Sequence, residues 1–196
     1  MDKTTIDTYN KMALEYDQEV AEFWNIFPRT ILDTFAQNIS GKVLDVGSGS
    51  GRDALILKEA GLQVTCLDAS TAMIALTRNK GLTSVLADFN DLPFANESFD
   101  GVWAYTSLLH TPKTQIKKPL AEIYRVLKNG GVFGLGLIEG DTEEYRASSG
   151  VELPRFFAYY KKEGIENLLK ELNFSIFYFD SFCPKTRNYL HFLARK

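Results

Sequence analysis

The stretch VLDVGSGSGRDA, residues 43–54, decides the fold. A short apolar run comes first, Gly47, Gly49 and Gly51 follow, and a helix is predicted to begin near Arg52. Glycine lets the backbone turn tightly and come close to a ligand, and a helix N-terminus favours polar or anionic groups. A glycine-rich loop can also be a simple tight turn, but this one lies between a predicted strand and a predicted helix. The pattern therefore predicts a nucleotide-binding loop.

On both sides of this loop, short apolar runs alternate with amphipathic stretches. The predicted strands are 42–46, 63–67, 84–87, 99–105 and 132–138, and the predicted helices between them are 52–60, 70–79 and 115–128. Nearly continuous apolar strands separated by helices are typical of a parallel sheet covered on both faces.

The two ends of the chain differ from this pattern. Residues 161–172 are predicted to be helical, and two strand-like runs follow at 174–180 and 187–194. Too few residues separate these runs for a parallel crossover, so we expect an antiparallel hairpin at one edge of the sheet. Residues 1–40 are predicted to be helical. No repeat or linker is visible, which predicts a single domain over residues 1–196.

Three residues distinguish between the possible nucleotides. Asp68 ends a strand about twenty residues after the loop, where a carboxylate can bind both ribose hydroxyls, although it could also be a helix N-cap. Arg52 occupies the sixth position of the dinucleotide fingerprint, which needs a small residue. Asp45 would repel a pyrophosphate by ~1 kcal/mol per charge pair in water, but it suits an ammonium group. These features fit S-adenosylmethionine, and NAD fits poorly.

The sequence resembles the class I S-adenosylmethionine-dependent methyltransferases, most of all the small-molecule branch that includes enzymes of ubiquinone and menaquinone biosynthesis. Segments 87–110, 119–137 and 166–180 match the family in order after the glycine loop. The resemblance implies an α/β, Rossmann-like, doubly wound sheet of seven strands, in the order 3-2-1-4-5-7-6 with strand 7 antiparallel. It also implies methyl transfer to a small-molecule acceptor, with S-adenosylhomocysteine as product.

The resemblance assigns further residues to the methyl donor. Asp88 stands where the family binds the adenine amino group, and the backbone of Phe89 where it meets the ring. Tyr9 and Tyr16 lie in a segment that folds over the cofactor as a lid in similar enzymes; the alternative is an ordinary amphipathic helix. The predicted cofactor-binding residues are Tyr9, Tyr16, Asp45, Gly47, Gly49, Gly51, Asp68, Ala69, Met73, Asp88, Phe89 and Tyr105.

The acceptor side is predicted from position in the chain. His110 follows the fourth strand, at the strand ends where ligands bind, and is the leading candidate for a catalytic base. A structural histidine that caps the loop before Pro112 is the alternative. The polar segment 139–160 sets acceptor choice in similar enzymes, but it could equally be a solvated connection, and no strand is predicted in it. The predicted acceptor-binding residues are Trp24, His110, Arg155 and Tyr160.

Composition excludes several classes of function. The net charge of −3 lacks the broad basic field of nucleic-acid-binding proteins. Two cysteines are too few for a disulfide scaffold or a zinc cluster, and we predict no metal site. No signal-peptide core or membrane span is visible, which predicts a cytoplasmic protein. No heptad pattern stands out, so the oligomeric state stays open.

Other reactions and roles stay open at this point. Residues 104–107 read AYTS, where enzymes that methylate amino groups of nucleic acids or protein glutamine carry an Asn/Asp-Pro-Pro-Tyr motif. The acceptor is therefore expected to be a small molecule, methylated on oxygen, nitrogen, sulfur or carbon. The alternatives are aminopropyl transfer or cofactor remodelling on the same fold, and a non-catalytic partner subunit that binds S-adenosylmethionine.

Overall fold

The structure, a computed structural model, describes residues 2–148 and 151–196, and a seven-stranded sheet forms its centre. The strands of this sheet are β1 (Lys42–Val46), β2 (Gln63–Asp68), β3 (Thr83–Leu86), β4 (Phe99–Tyr105), β5 (Leu127–Ile138), β8 (Ser175–Phe182) and β9 (Tyr189–Arg195). Their order is β3-β2-β1-β4-β5-β9-β8. The first five are parallel, and β9 runs antiparallel to both β5 and β8. Strands β8 and β9 are the sixth and seventh strands of this sheet in chain order, so the predicted order 3-2-1-4-5-7-6 is confirmed. The predicted antiparallel C-terminal hairpin is confirmed as well.

Helices cover both faces of the sheet. They are α1 (Lys3–Lys11), α2 (Ala13–Val20), α3 (Phe23–Ile26), α4 (Thr30–Gln37), α5 (Arg52–Glu59), α6 (Thr71–Asn79), α7 (Lys117–Val126) and α8 (Lys162–Glu171). Each predicted helix between strands is present, with ends that differ from the prediction by at most two residues. None of the helices in the described part of the chain is both long enough and apolar enough to cross a bilayer.

The central strands are apolar on both faces because each face supports its own core. Successive side chains of a strand point to opposite faces, so neighbours in β1 enter different clusters. Leu44 and Val46 pack in one cluster with Phe133, and Val43 packs in the other with Trp103. All five are fully buried. Burial of one such side chain contributes about 1.5–3 kcal/mol, which fixes the register of the sheet and therefore the position of the loops at its end.

The segment between β5 and α8 differs from its prediction. It forms an antiparallel hairpin of β6 (Glu143–Ser148) and β7 (Val151–Ala158), separate from the main sheet. Residues 149–150 of the predicted 139–160 segment lie outside the described residues. Helix α1 packs on β7: the Thr8 hydroxyl donates to the Pro154 carbonyl at 2.7 Å, and the Phe156 N–H donates to the Thr5 hydroxyl at 2.9 Å. The expectation of a connection without strands is wrong.

Candidate active site

The glycine loop that follows β1 has positive φ angles, which residues with a side chain rarely adopt. Gly47 has φ +69°, and a Cβ built on it would lie 2.4 Å from the Cβ of Ser107. The Ser107 hydroxyl donates to the carbonyl of Val46 at 2.6 Å, so the loops after β1 and β4 are held together at this point. Gly49 has φ +54°, and a Cβ there would lie 3.6 Å from the Tyr16 ring. The loop therefore forms one wall of a cleft at the carboxyl ends of the strands.

Asp68, at the end of β2, braces this loop. One carboxylate oxygen accepts a hydrogen bond from the Gly49 N–H at 2.9 Å, and the other accepts from the Ser70 N–H at 2.8 Å. Burial raises the pKa of Asp68, while these N–H groups lower it, and burial dominates. The N-cap of α6 is Ser70, whose hydroxyl accepts from the Met73 N–H. The alternative interpretation of Asp68 as a simple helix N-cap therefore does not describe its position.

Two carboxylates beside the loop have opposite environments. Asp53 accepts hydrogen bonds from the indole N–H groups of Trp24 and Trp103, both at 2.8 Å, and from Arg52 at 2.6 Å. Burial opposes its ionisation, but the guanidinium and these donors outweigh burial and hold the pKa of Asp53 below its ordinary value. Asp45 is 3% exposed, and within the described residues its Oδ2 has no hydrogen-bond partner. Burial raises the pKa of Asp45 well above its usual range, and the nearby Asp53 adds to this.

The N-terminal tyrosines lie over the cleft. The helix is interrupted at Met12, between α1 and α2, so Tyr9 and Tyr16 do not lie in one helix. Their rings still meet edge to face, with centroids 5.2 Å apart. Asn10 fixes α1 to the start of α6, since its Oδ1 accepts from the Ser70 hydroxyl at 2.8 Å and from the Ala72 N–H at 3.1 Å. This contact and the one with β7 hold α1 at both sides of the cleft.

A chain of hydrogen bonds runs along the rim of the cleft through His110. Its Nδ1 lies 2.6 Å from the Phe156 carbonyl, and its Nε2 lies 2.9 Å from the Tyr9 hydroxyl. A carbonyl can only accept, so Nδ1 carries the proton and Nε2 accepts from Tyr9. Arg155 donates to the same hydroxyl at 3.0 Å. Burial lowers the pKa of His110 to about 4, so the ring is neutral at physiological pH.

This buried ring should make stability depend on pH. Since folding lowers the pKa of His110 from 6.5 to about 4, the unfolded chain binds a proton more readily between these values. The contribution of the neutral ring to the free energy of unfolding is present in full above pH 6.5. It is lost as the pH falls toward 4, and the total loss is about 3 kcal/mol. Urea unfolding at several pH values should show a shallower decline for His110→Gln than for the wild type. Parallel pH curves for the two proteins would contradict this assignment.

The structure brings together most of the predicted cofactor residues. The cleft is lined by Tyr9, Tyr16, Asp45, Gly47, Gly49, Asp68, Met73, Phe89, Tyr105 and His110, together with Arg52, Asp53 and Thr106. Gly51, Ala69 and Asp88 are not among its lining residues. A Cβ on Gly51 would lie 2.5 Å from Leu82, so close packing of α5 requires this glycine. Asp88 accepts from the Asn90 backbone N–H at 2.9 Å.

A second cavity, of about 620 Å³, adjoins the cleft and shares Tyr9, Tyr16 and His110 with it. Arg155, one of the predicted acceptor-binding residues, lines this cavity. Trp24 and Tyr160 do not line it. The Trp24 indole is turned toward Asp53 and packs on Tyr105, with ring centroids 5.1 Å apart. Tyr160 is buried at 4% exposure, and its N–H donates to the carbonyl of Ile138.

Comparison with known proteins agrees with this geometry. The family model described as "Methyltransferase domain" matches residues 44–135. An uncharacterized protein of Methanocaldococcus jannaschii is 30% identical over 177 residues, which cover 86% of this chain and 82% of that protein. The demethylmenaquinone methyltransferase of Renibacterium salmoninarum is 35% identical over 105 residues, 53% of this chain and 44% of that enzyme. The chain belongs to the family of S-adenosylmethionine-dependent methyltransferases.

Solved structures share the fold of this chain. A Burkholderia thailandensis 1,6-didemethyltoxoflavin-N1-methyltransferase, crystallised with 1,6-didemethyltoxoflavin and S-adenosylhomocysteine, has a TM-score of 0.72 at 20% identity, over 97% of this chain and 88% of that one. By contrast, this chain spans less than half the length of several of the curated methyltransferases that it matches.

Four residues at or beside the cleft make contacts that the sequence does not signal. Asp53 and Arg52 directly follow the glycine loop, but the partners of Asp53 come from distant parts of the chain. Thr106 lines both cavities with φ +54°, a conformation that costs a β-branched residue of the order of 1–3 kcal/mol. The fourth, Asn10, could have been suspected only as a polar residue inside a predicted helix.

Proposed function

We propose that the protein transfers the methyl group of S-adenosylmethionine to a small-molecule acceptor bound in the second cavity. The observation that carries the proposal is the buried, unpartnered Oδ2 of Asp45 beside the glycine loop. A buried carboxylate without a partner is costly, and the ammonium group of the methyl donor would supply the missing one. When bound, S-adenosylmethionine supplies a reactive methyl group on a positively charged sulfur and leaves as S-adenosylhomocysteine.

The residues that would hold the donor have distinct tasks. Asp68 would accept from the two ribose hydroxyls, because each of its oxygens keeps a lone pair beyond its contact with the backbone. Phe89, buried in the cleft, would lie against the adenine ring, with Asp88 beside it. Residues 1–40 would act as a lid, since Tyr9 and Tyr16 cover the cleft and α1 is fixed at both sides.

The geometry favours a positioning task for His110 over a direct role as base. Its Nε2 is occupied by the Tyr9 hydroxyl, and a pKa of about 4 makes the imidazole a weak base at neutral pH. His110 and Arg155 would instead fix the Tyr9 hydroxyl where the two cavities meet. Methyl transfer depends mainly on close approach in a dry site, and orientation alone can supply ~7–11 kcal/mol of barrier reduction.

Three further observations support a small-molecule acceptor in the cytoplasm. The net charge is −3, which disfavours a nucleic-acid substrate. The second cavity, about 620 Å³, has the size of a small-molecule site. Cys66 and Cys183 are free thiols, as is usual in a reducing compartment.

Calorimetry with three ligands tests the role of Asp45. Asp45→Asn should weaken binding of S-adenosylmethionine and S-adenosylhomocysteine about 10- to 100-fold, the value of one hydrogen bond to a charged group. Binding of 5′-methylthioadenosine, which has the same nucleoside but no amino-acid group, should change less than about twofold. The exposed Glu59→Gln is the matched control for loss of one carboxylate.

Transfer of labelled methyl from S-adenosylmethionine to a pool of small metabolites tests the whole proposal. Label should appear in a small molecule with the wild type and should be strongly reduced with Asp45→Asn. A wild-type protein that binds neither S-adenosylmethionine nor S-adenosylhomocysteine would contradict the proposal.

A further inference from the structure

The second cavity is basic although the chain as a whole is acidic. Among the side chains that the structure describes, five basic ones and one acidic one line it: Arg52, Arg146, Arg155, Lys185, Arg187 and Glu19. Arg52 is paired with Asp53 at 2.6 Å, and Arg187 lies 3.8 Å from Glu144. The two remaining arginines, Arg146 and Arg155, determine what the cavity can bind.

Arg146 and Arg155 are held side by side by the hairpin. They are directly opposed partners in the β6–β7 register, so both side chains leave the same face. Their guanidinium carbons lie 4.6 Å and 5.3 Å from the centroid of the Phe157 ring. Like charges directly opposite each other destabilise a strand pair unless an anion lies between them. The hairpin therefore holds two cations together at the wall of the cavity.

Neither guanidinium has a matching anion. Among the described side chains, those of residues 2–147 and 153–196, no carboxylate lies within 4.0 Å of either one. Both Nε atoms are buried without a hydrogen-bond partner in the same ranges, and Arg155 is only 6% exposed. Arg125 shows the usual arrangement, since it forms hydrogen bonds with the carboxylate of Glu122 through Nε and Nη2. A buried cation without a counter-charge is costly, so the pair is suited to an anionic ligand.

Aromatic side chains form much of the remaining cavity wall, and most of the other residues there are aliphatic. Tyr9, Phe23, Phe27, Phe157 and Tyr189 line it. The rings of Phe23 and Phe27 stack with centroids 3.9 Å apart, and the Arg52 guanidinium carbon lies 4.1 Å from the Phe23 centroid. A ligand that matches this wall carries an aromatic or other planar apolar group at one end and an anion at the other.

We infer that the methyl acceptor is a small planar or aromatic anion whose carboxylate or phosphoryl group binds between Arg146 and Arg155. This inference rests on the proposed function, and it adds the chemical class of the acceptor. Arg155 donates to the Tyr9 hydroxyl at 3.0 Å, so an anion on this pair is anchored beside the junction with the cofactor cleft. Glu19, the acidic residue among the described lining side chains, would disfavour the anion at the other side of the cavity.

Calorimetry with matched pairs of probes tests the inference. Protein saturated with S-adenosylhomocysteine is titrated with benzoate and benzamide, indole-3-acetate and indole-3-acetamide, and phenyl phosphate and its neutral dimethyl ester. At least one anion should bind tenfold or more tightly than its neutral counterpart. The carboxylate and phosphate pairs distinguish the two kinds of anionic group. Equal binding within every pair, or no binding of any probe by protein that binds S-adenosylhomocysteine, overturns the inference.

Variants locate the anion site. Arg146→Gln and Arg155→Gln should each reduce the preference for the anion below threefold, and both should keep their affinity for S-adenosylhomocysteine. Arg146 has no contact with Tyr9 among those described, so its variant is not affected by movement of the lid. Lys185→Gln removes the same charge from an exposed position on the cavity rim and should change the preference less than twofold. An equal effect of Lys185→Gln would overturn the paired site. Loss of S-adenosylhomocysteine binding by the wild type would contradict the proposed function itself.

Discussion

Asp68→Ala is expected to weaken the binding of S-adenosylhomocysteine at least 100-fold. The carboxylate braces the glycine loop through the Gly49 N–H and the start of α6 through the Ser70 N–H. It would also accept from both ribose hydroxyls. Hydrogen bonds to a charged group contribute ~1.5–3 kcal/mol each, so loss of two already corresponds to a factor of about 100 or more.

Calorimetry distinguishes this effect from that of Asp45. Asp68→Ala should weaken the binding of both 5′-methylthioadenosine and S-adenosylhomocysteine, because both ligands carry the ribose. Asp45→Asn should weaken the binding of S-adenosylhomocysteine alone. Two N–H groups left without an acceptor cost about 1–3 kcal/mol each in stability, so folding is checked by circular dichroism at the assay temperature. Glu59→Ala, an exposed position on α5, is the control. Binding of S-adenosylhomocysteine by folded Asp68→Ala within threefold of wild type would refute the assignment.

The main sheet could be predicted because its information is local. Each parallel strand is a short apolar run followed by a turn and an amphipathic helix, so the pattern predicts the parallel sheet. The strand order follows from the family resemblance alone. The C-terminal hairpin could be predicted from the length of one connection, since few residues separate β8 and β9. The positions of Asp45 and Asp68 at strand ends follow directly from the same reasoning.

The hairpin of β6 and β7 could not be predicted because its information is not local. Residues 143–148 read EEYRAS, which has no alternating apolar pattern, and most of its side chains are exposed. The hairpin is supported instead by α1. Thr8 and Thr5 bond to Pro154 and Phe156 of β7, which lie 146 and 151 residues later in the chain. The position of Trp24 could not be predicted for the same reason. The sequence places an aromatic residue in a helix near the acceptor side, but it does not show that the indole N–H donates to Asp53.

His110→Ala is expected to lower kcat about 100-fold while the affinity for S-adenosylhomocysteine changes only a few-fold. Loss of the imidazole frees the Tyr9 hydroxyl from the acceptor that orients it, and a misplaced group at the reacting centre costs about two orders of magnitude. The cofactor contacts through Asp45 and Asp68 do not involve His110. The variant therefore separates turnover from donor binding.

His110→Gln decides whether the imidazole positions Tyr9 or takes a proton. A glutamine amide can donate to the Phe156 carbonyl and accept from the Tyr9 hydroxyl, as the neutral ring does, but it cannot act as a base at neutral pH. A positioning role predicts that His110→Gln recovers most of the activity lost in His110→Ala. It also predicts that the wild-type kcat shows no titration near pH 6.5, because the pKa of His110 is about 4. Tyr9→Phe should be as slow as His110→Ala. If His110→Gln is as inactive as His110→Ala while both bind S-adenosylhomocysteine normally, the imidazole is the base and the positioning role is wrong.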